Sequence, residues 1–318
     1  MNYKIWVRFG IILAFASGII AVYVSHEENR VPNLEIYIFN LKNSQAIFIR
    51  TPNDRRVLIN GGANSEIISR ITKILPFYSR RIDTLMITDN LDKNVTGLID
   101  ILDRYQVKNV YVPALTLQLL DLASSTDQIY PTFLTTAQEK ALPVIELAKG
   151  DNVNLENSDI TGSTTVKAQI LFPATSTKFA YSKASAPEII MKIKYNQTSL
   201  ILLGNATTKI QKFIALEGTT TANVLLVWNS ASPDNLDAGL MNQIHPEYLV
   251  YSKSLTATAP RASVSSVNSA SKSKKPKKVK PDPLVYLTEA SRFNIKAFDH
   301  IKITSDGVSL KVDSEKIY

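Results

Sequence analysis

The sequence predicts an α/β protein in which a layered domain follows an N-terminal transmembrane helix. Apolar runs of strand length alternate with amphipathic stretches that have the period of a helix, an order that is typical of layered α/β folds. An uncharged apolar run stands near the N-terminus. The 318 residues, of which 45% are hydrophobic, are enough to bury one large core.

The N-terminal run is predicted to anchor the chain in a membrane. Residues 9–24 carry no charge, and the whole run of residues 5–24 is close to the length of a helix that crosses a bilayer. Lys4 and Arg8 lie at its N-terminal end and two glutamates follow it, so the positive-inside rule places the N-terminus in the cytoplasm. We therefore expect a single-pass protein of the cell membrane with an extracytoplasmic body. Residues 1–30 would form the anchor and a juxtamembrane segment.

A cleaved signal peptide is the alternative to an uncleaved anchor. The apolar run is also compatible with the hydrophobic region of a signal peptide. However, residues 22–25, Val-Tyr-Val-Ser, make a poor small-residue cleavage site. The chain has no cysteine, which is compatible with an extracytoplasmic location.

Residues 31–252 are predicted to form the body of the domain. An apolar stripe with the period of a helix follows Ser65, whose side chain can cap that helix. The stripe consists of Ile67, Ile68, Ile71, Ile74, Leu75 and Tyr78. Further helices are expected at 115–123, 135–142 and 234–244, and strands at 34–41, 46–51, 57–62, 85–87, 107–113 and 248–252, with a hairpin at 189–203 that turns at Asn196-Gln197.

The stretch from Leu85 to Leu98 has the setting of a metal-binding motif. An apolar strand ends at Thr88, a short polar loop follows, and an amphipathic helix begins near Val95. This strand-loop-helix arrangement resembles the HxHxDH motif of metallo-β-lactamase-fold hydrolases. In that motif imidazoles and a carboxylate hold zinc, which acidifies a bound water.

The resemblance is to the soluble domain of ComEC-type DNA-uptake proteins in particular. It covers residues 34–252, resumes at 284, and implies a metallo-β-lactamase-like αββα sandwich. The stretches that carry it include Gly61-Gly62 after a strand, the strand at 107–113, the strand at 199–204 and the strand at 224–228.

The same resemblance implies that the metal ligands of the family are replaced. Leucine cannot coordinate a cation, and an ammonium group repels one. The family's metal-binding positions fall on Asn60, Asp89, Leu91, Lys93, Asn94, Asn205 and Asn229. Because the chain has only three histidines, His26, His245 and His300, and no cysteine, no cluster of imidazole or thiolate ligands can be assembled. We therefore expect no metal and no other cofactor.

Two interpretations of the remaining polar groups in this loop stay open. Asp89 and Asp92, with asparagines beside them, could bind Mg²⁺ or Mn²⁺ through oxygen ligands. Alternatively, Asp89, Asn90 and Asn94 satisfy backbone groups of the loop and cap the helix that follows.

A basic segment, residues 253–283, is predicted to be a disordered insertion, with residues 284–318 forming the closing strands of the domain. It contains eight cations and one carboxylate, a net charge of +7 out of the +8 of the whole chain, and few large apolar residues. The candidate polyanion-binding residues are Lys272, Lys274, Lys275, Lys277, Lys278 and Lys280. The segment is either an arm that attracts DNA or another polyanion, or a solvated linker.

Two functions follow from these observations. The first is a membrane-anchored, catalytically inactive protein that acts as a binding or scaffold module, with DNA uptake beside a ComEC-type channel as the process that the resemblance suggests. The alternative is an active hydrolase, a nuclease or phosphodiesterase, with an unconventional oxygen-rich metal site. Metal analysis of the protein would distinguish them.

Overall fold

Two β-sheets face each other across an apolar core in the computed structural model of this chain. It describes residues 7–18, 33–41, 44–76, 78–114, 129–156, 165–175, 187–218, 221–228, 236–252 and 289–316.

Fifteen strands lie in the described residues. They are β1 (Leu34–Leu41), β2 (Ser44–Arg50), β3 (Arg56–Ile59), β4 (Thr84–Met86), β5 (Asn109–Pro113), β6 (Val144–Leu147), β7 (Asn152–Asn154), β8 (Val166–Phe172), β9 (Ile190–Tyr195), β10 (Thr198–Gly204), β11 (Val224–Val227), β12 (Tyr248–Tyr251), β13 (Ser291–Asn294), β14 (Phe298–Ser305) and β15 (Leu310–Lys316). The first sheet has the order β15-β14-β1-β2-β3-β4-β5-β6, and the second has the order β13-β12-β11-β10-β9-β8-β7.

Each sheet combines a parallel part with an antiparallel part. Strands β3 to β6 are parallel in the first sheet, and β10 to β13 are parallel in the second. The remaining neighbours are antiparallel, including the β9–β10 hairpin, which turns at Asn196-Gln197 and confirms the predicted hairpin. The carboxyl ends of parallel strands share an edge of their sheet, so the loops that follow them are brought together.

Six helices lie in the described residues, and five of them, α2 to α6, lie on the outer faces of the two sheets. They are α1 (residues 7–18), α2 (Glu66–Ile74), α3 (Asp92–Arg104), α4 (Ile129–Glu139), α5 (Thr208–Leu216) and α6 (Ala238–Ile244). Helices α2, α3 and α4 pack on the first sheet, and α5 and α6 pack on the second. The layers are therefore helix, sheet, sheet and helix, which is the predicted αββα order.

The core between the sheets comes from alternate residues of the facing strands. Ile36 and Ile38 of β1 meet the inner row of the second sheet, in which Ile193 and Leu200 are 1% and 2% exposed. Full burial of each such side chain contributes about 1.5–3 kcal/mol to the free energy of unfolding. The stacking of the two sheets therefore provides much of the stability of the domain.

Three predicted helices differ from those observed. Helix α4 begins at Ile129, six residues before the expected start, and Pro131 is accommodated in its first turn, where a missing N–H costs no hydrogen bond. Helix α3 begins at Asp92 rather than near Val95. Helix α6 begins at Ala238, because the carboxylate of Asp237 accepts a hydrogen bond from Leu240 N–H at 3.1 Å and caps it there.

The helix after Ser65 forms, but Ser65 does not cap it through its side chain. The hydroxyl of Ser65 donates to Asp100 Oδ2 at 2.7 Å, and Asn64 Oδ1 instead accepts from Glu66 N–H at 2.9 Å. Tyr78, predicted in the buried stripe, is 55% exposed because α2 ends at Ile74. The helix predicted at 115–123 lies outside the described residues.

At the N-terminus the described part of the predicted anchor, residues 7–18, is helical. No helix in the described residues has both the length and the apolar character that a membrane span requires. The predicted span is residues 5–24, and its residues 5, 6 and 19–24 lie outside the described residues.

A network of charged residues lies at the amino-terminal ends of the parallel strands in the first sheet. Asp83, just before β4, accepts from Arg55 Nη1 at 2.7 Å and from Arg56 N–H at 3.1 Å, and Lys108 Nζ lies 3.1 Å away. Burial opposes ionisation of Asp83, but the hydrogen bonds from Arg55, Arg56 and Lys108 and the charge of Arg81 together lower its pKa. This end of the sheet is therefore held together by ion pairs.

At the other end of β3, helix α3 approaches the loop backbone so closely that one position must be glycine. Gly61 N–H donates to Asn94 O at 2.7 Å, and Gly97 N–H donates to Gly62 O at 3.0 Å. A Cβ atom on Gly97 would overlap the carbonyl oxygens of Gly61 and Asn64, the latter at 2.6 Å. The Gly61-Gly62 pair thus positions α3 and the loop that precedes it.

Replacing Gly97 with alanine should destabilise the protein although alanine is the better helix former. The added methyl group meets rigid backbone rather than a side chain that can rotate, so we expect a loss of about 2–4 kcal/mol in the free energy of unfolding. Thr96→Ala, at the neighbouring position on α3, serves as the control and should change stability by less than about 1 kcal/mol. Urea unfolding measures both variants, and equal stabilities would show that the contact does not constrain α3.

Candidate functional site

The polar residues after the parallel strands of both sheets converge at one edge of the sandwich. Asn60 follows β3, Asp89 follows β4 and Asn205 follows β10. Glu188 precedes β9, which runs antiparallel to β10, so it lies at the same edge. The N–H of Ile189 donates to Thr88 O at 2.7 Å and joins the two sheets there.

Asn60 and Thr88 form a closed pair at the end of β3 and β4. Asn60 adopts a left-handed backbone conformation, with φ 60°, which turns its side chain toward the next strand. Its amide Nδ2 donates to Thr88 Oγ1 at 2.8 Å, and its Oδ1 accepts from Thr88 N–H at 3.0 Å. Both side chains are buried, and Thr88 also hydrogen-bonds to Asp89.

Asp89 is held in the same way by the first turn of α3. Asn94 Nδ2 lies 2.9 Å from each carboxylate oxygen, and Leu91 N–H donates to Oδ1 at 3.0 Å. Asp89 is 5% exposed. The structure therefore favours the interpretation in which Asp89 satisfies loop groups, with Asn94 acting as a donor to Asp89 and not as the cap of a helix.

Glu188 is a second buried carboxyl group, and sequence reasoning missed it. Its Oε1 accepts from Asn205 N–H at 2.6 Å, and it is 7% exposed. Gly204 has φ 59° and its α-carbon lies against this carboxyl group, so a side chain there would collide with Glu188. The sequence signal is a single acid before an apolar strand, in Pro187-Glu188-Ile189-Ile190, which by itself resembles an ordinary strand start.

Burial shifts both carboxyl groups toward their neutral forms, and the charge of Asp89 adds to the shift of Glu188. Burial raises the pKa of Glu188, the negative charge of Asp89 raises it further, and together they bring it to about 8. Burial also raises the pKa of Asp89, against the opposing effects of Asn94, Leu91 and the Lys93 ammonium group. The pair therefore retains a proton at neutral pH, and the charge of Lys93 balances the remaining negative charge.

The groups gathered here do not fit a zinc centre. Zinc takes thiolate, imidazole and carboxylate ligands, whereas this edge offers two carboxyl groups, neutral amides and an ammonium group. Within the described ranges no three histidine, cysteine, aspartate or glutamate side chains are close enough together to hold a metal ion. Both oxygens of Asp89 already accept hydrogen bonds, which weakens the Mg²⁺ or Mn²⁺ interpretation as well.

The other predicted site residues are placed as follows. Leu91 is 44% exposed and precedes α3, and Lys93 is half-buried beside the carboxyl pair. His245 ends α6 with φ 45°, and His300 packs on the rings of Tyr37 and Phe39. Neither histidine therefore joins a ligand cluster. Asn229, His26 and the lysines of the basic segment, from Lys272 to Lys280, lie outside the described residues.

No protein-family model matches the sequence, and no curated protein sequence matches it. Among solved structures, CmlA, a diiron β-hydroxylase from Streptomyces venezuelae, is similar with 14% identity and a TM-score of 0.42 over 70% of this chain. That match spans only 45% of the CmlA chain.

Two further solved structures are similar over a comparable part of the chain. MEM-A1, a subclass B3 metallo-β-lactamase from a soil metagenome library, has 11% identity and a TM-score of 0.39, covering 62% of this chain and 77% of its own. The metallo-β-lactamase-fold protein YhfI from Bacillus subtilis has 10% identity and a TM-score of 0.39, covering 69% and 85%. Values this low do not establish a shared family, so the family relation stays a prediction.

Replacing Glu188 with glutamine should change how stability depends on pH. The amide keeps an oxygen that can accept from Asn205 N–H, but it removes the ionisation. In the wild type, the folded state keeps a proton that the unfolded state releases between the ordinary pKa of 4.5 and about 8. The free energy of unfolding should therefore fall by about 1.4 kcal/mol per pH unit as pH rises through that window, and this fall should be absent from Glu188→Gln.

Urea unfolding across the window measures the two slopes. Glu139→Gln, which alters an exposed glutamate on α4, is the matched control and should follow the wild-type profile. If Glu188→Gln also follows the wild-type profile, the carboxyl pair does not share a proton.

Proposed function

We propose that this chain is a metallo-β-lactamase-fold protein without hydrolase chemistry that acts as a membrane-anchored binding module. The observation that carries the proposal is the hydrogen-bond network that holds Asp89 and Glu188. In an enzyme of this fold class, the same edge would present ligands with free lone pairs to a metal. Here the carboxyl groups are occupied by Asn94, Leu91 and the backbone of Asn205.

The identity of the residues at this edge supports the same conclusion. If the resemblance noted in the sequence is correct, the ligand positions hold Asn60, Asp89, Leu91, Lys93 and Asn94, followed by Asn205 and Asn229. An ammonium group beside the carboxyl pair provides the positive charge that a metal would otherwise supply. The alternative, an active nuclease or phosphodiesterase, would need oxygen ligands freed from these contacts.

Metal binding and turnover test this proposal directly. The full-length chain, purified in mild detergent, should retain much less than one zinc per chain after incubation with Zn²⁺ and gel filtration, because no set of donors is available. It should hydrolyse neither bis(p-nitrophenyl) phosphate nor nitrocefin above the buffer rate with Zn²⁺, Mn²⁺ or Mg²⁺.

Two results would overturn the proposal. One is a stoichiometric zinc measured by elemental analysis. The other is metal-dependent turnover that disappears in Asp89→Asn but persists in Glu139→Gln, which would assign the activity to this edge and support the oxygen-rich hydrolase.

The membrane anchor is a separate part of the proposal, supported by the uncharged run and the flanking charges of the sequence. Alkaline carbonate should leave the full-length chain in the membrane fraction and should release a chain that lacks residues 1–30. Release of both chains would show that the protein is attached to the membrane only peripherally. On the proposed topology the body faces outward, where a ComEC-type channel and incoming DNA would be accessible partners.

A further inference from the structure

The outer face of the second sheet is covered only in part. Helices α5 and α6 pack on Ile190, Ile201 and Leu203, near β10 to β12. Helix α5 also reaches the end of β8, where Phe213 packs on Phe172. Beyond Phe172 and Ile190, the alternate side chains of β7, β8 and β9 point outward, and no helix of the described residues packs on them. We call this surface the lysine face: Asn152, Asn154, Lys167, Gln169, Lys192 and Lys194.

The strand register sets these side chains in two rows across the sheet. In one row Asn154 lies opposite Lys167, and Lys167 lies opposite Lys194. In the next row Asn152 lies opposite Gln169, and Gln169 lies opposite Lys192. Neighbouring strands are about 4.8 Å apart, so each row places hydrogen-bond donors at short, regular intervals.

The electrostatics of this face are unfavourable for the protein alone. Strands β7, β8 and β9 contain no acidic residue, and none of the three lysines has an ion-pair or hydrogen-bond partner among the described residues. Lysines directly opposite each other in a sheet repel and destabilise it. Burial and then the charge of Lys194 lower the pKa of Lys192.

The positive charge of this face differs from that of the Asp83 network. There, Arg55 and Lys108 pair with the buried carboxylate of Asp83, which also accepts from the backbone N–H of Arg56, and these contacts stabilise the fold. On the lysine face, the row that contains Lys167 and Lys194 continues to Ser199 of β10 and ends near Asn223. The side-chain oxygen of Asn223 accepts from Ser199 N–H, and its Nδ2 donates to Glu247 Oε1 at 2.7 Å. Folding therefore gives no reason for three adjacent ammonium groups on one face of the sheet.

We propose that the lysine face binds the phosphate backbone of nucleic acid. The charge is complementary to a phosphodiester chain, and the amides beside the lysines can donate to phosphate oxygens. The face has no aromatic side chain for base stacking, so the contacts are made to the backbone and are independent of base sequence. This surface is separate from the Asp89–Glu188 edge, and the inference holds whether or not that edge is catalytic.

The experiment compares three variants of the full-length chain. In the first, Lys167, Lys192 and Lys194 are replaced by glutamine. The second is the control with the same change in net charge. In it glutamine replaces Lys140 just after α4, Lys296 in the turn after β13 and Lys311 in β15. The third lacks residues 255–281, the basic segment. Fluorescence anisotropy follows a labelled oligothymidylate over a range of salt concentrations.

The first variant should bind at least about tenfold more weakly at low salt than the wild type, and the control should stay close to the wild type. Each single-strand phosphate contact contributes about 0.7 to the slope of log affinity against log salt, so losing three contacts should reduce the slope by about 2. The first variant should remain folded, because glutamine removes the like-charge repulsion. The single variant Lys194→Gln should also weaken binding to oligothymidylate, by a smaller factor.

Several outcomes would overturn the inference. One is a wild type that oligothymidylate does not bind at low salt. Another is an equal loss of affinity in the first variant and the control, which would show that net charge alone decides binding. If only the deletion abolishes binding, the basic segment is the element. If polygalacturonate competes as well as oligothymidylate does, the occupant is an acidic polysaccharide and not a nucleic acid.

Discussion

Both sheets are covered on both faces over most of their area, and this constraint determines where the chain can place polar groups. A strand such as β11, Val224–Val227, is buried at every position because the facing sheet covers one side and α5 and α6 cover the other. Such strands are nearly continuous apolar runs, as expected for parallel strands buried on both faces. Polar side chains therefore lie mainly at the strand ends, along β14 and β15 at one side of the first sheet, and on the part of the second sheet that no described helix covers.

The two ends of β3 and β4 use buried charge in opposite ways. At the amino-terminal end, Asp83 has a lowered pKa, so its ion pairs stabilise the fold above the ordinary pKa and lose that effect in acid. At the carboxyl-terminal end, Glu188 has a raised pKa, and its ionisation destabilises the fold as pH rises toward about 8. Asp83 therefore serves the fold, whereas the carboxyl pair reduces its stability in the neutral range. Carboxyl groups that are buried at such a cost are concentrated at functional sites, although structural networks also shift pKa values.

The sequence predicted the layers, the hairpin at Asn196-Gln197 and the polar loop after β4, because apolar periodicity and turn residues act locally. It did not predict that Glu188 lies beside Asp89. These residues are far apart in the chain, and only the contact between Ile189 and Thr88 brings their loops together. The predicted start of α3, near Val95, was wrong for a similar reason. Asparagine is a common helix cap, but the side chain of Asn94 donates to the buried carboxylate of Asp89 instead. Residues whose roles depend on pairing between sheets could not be assigned from local pattern.

Outside the basic segment the chain carries a net charge of only about +1, so the overall charge of the body gives little attraction for a polyanion. Any attraction must come from the local arrangement of cations. The lysine face provides such an arrangement, since Lys167 and Lys194 lie opposite each other without an intervening carboxylate. It shares one property with the Asp89–Glu188 pair: ionisable groups of the same sign are adjacent where folding alone would favour separating them or pairing them with opposite charges. Unfavourable local arrangements of this kind are expected where a surface or site serves function and not folding. The lysine face and the Asp89–Glu188 pair are therefore the two places in this structure at which a binding partner should be sought.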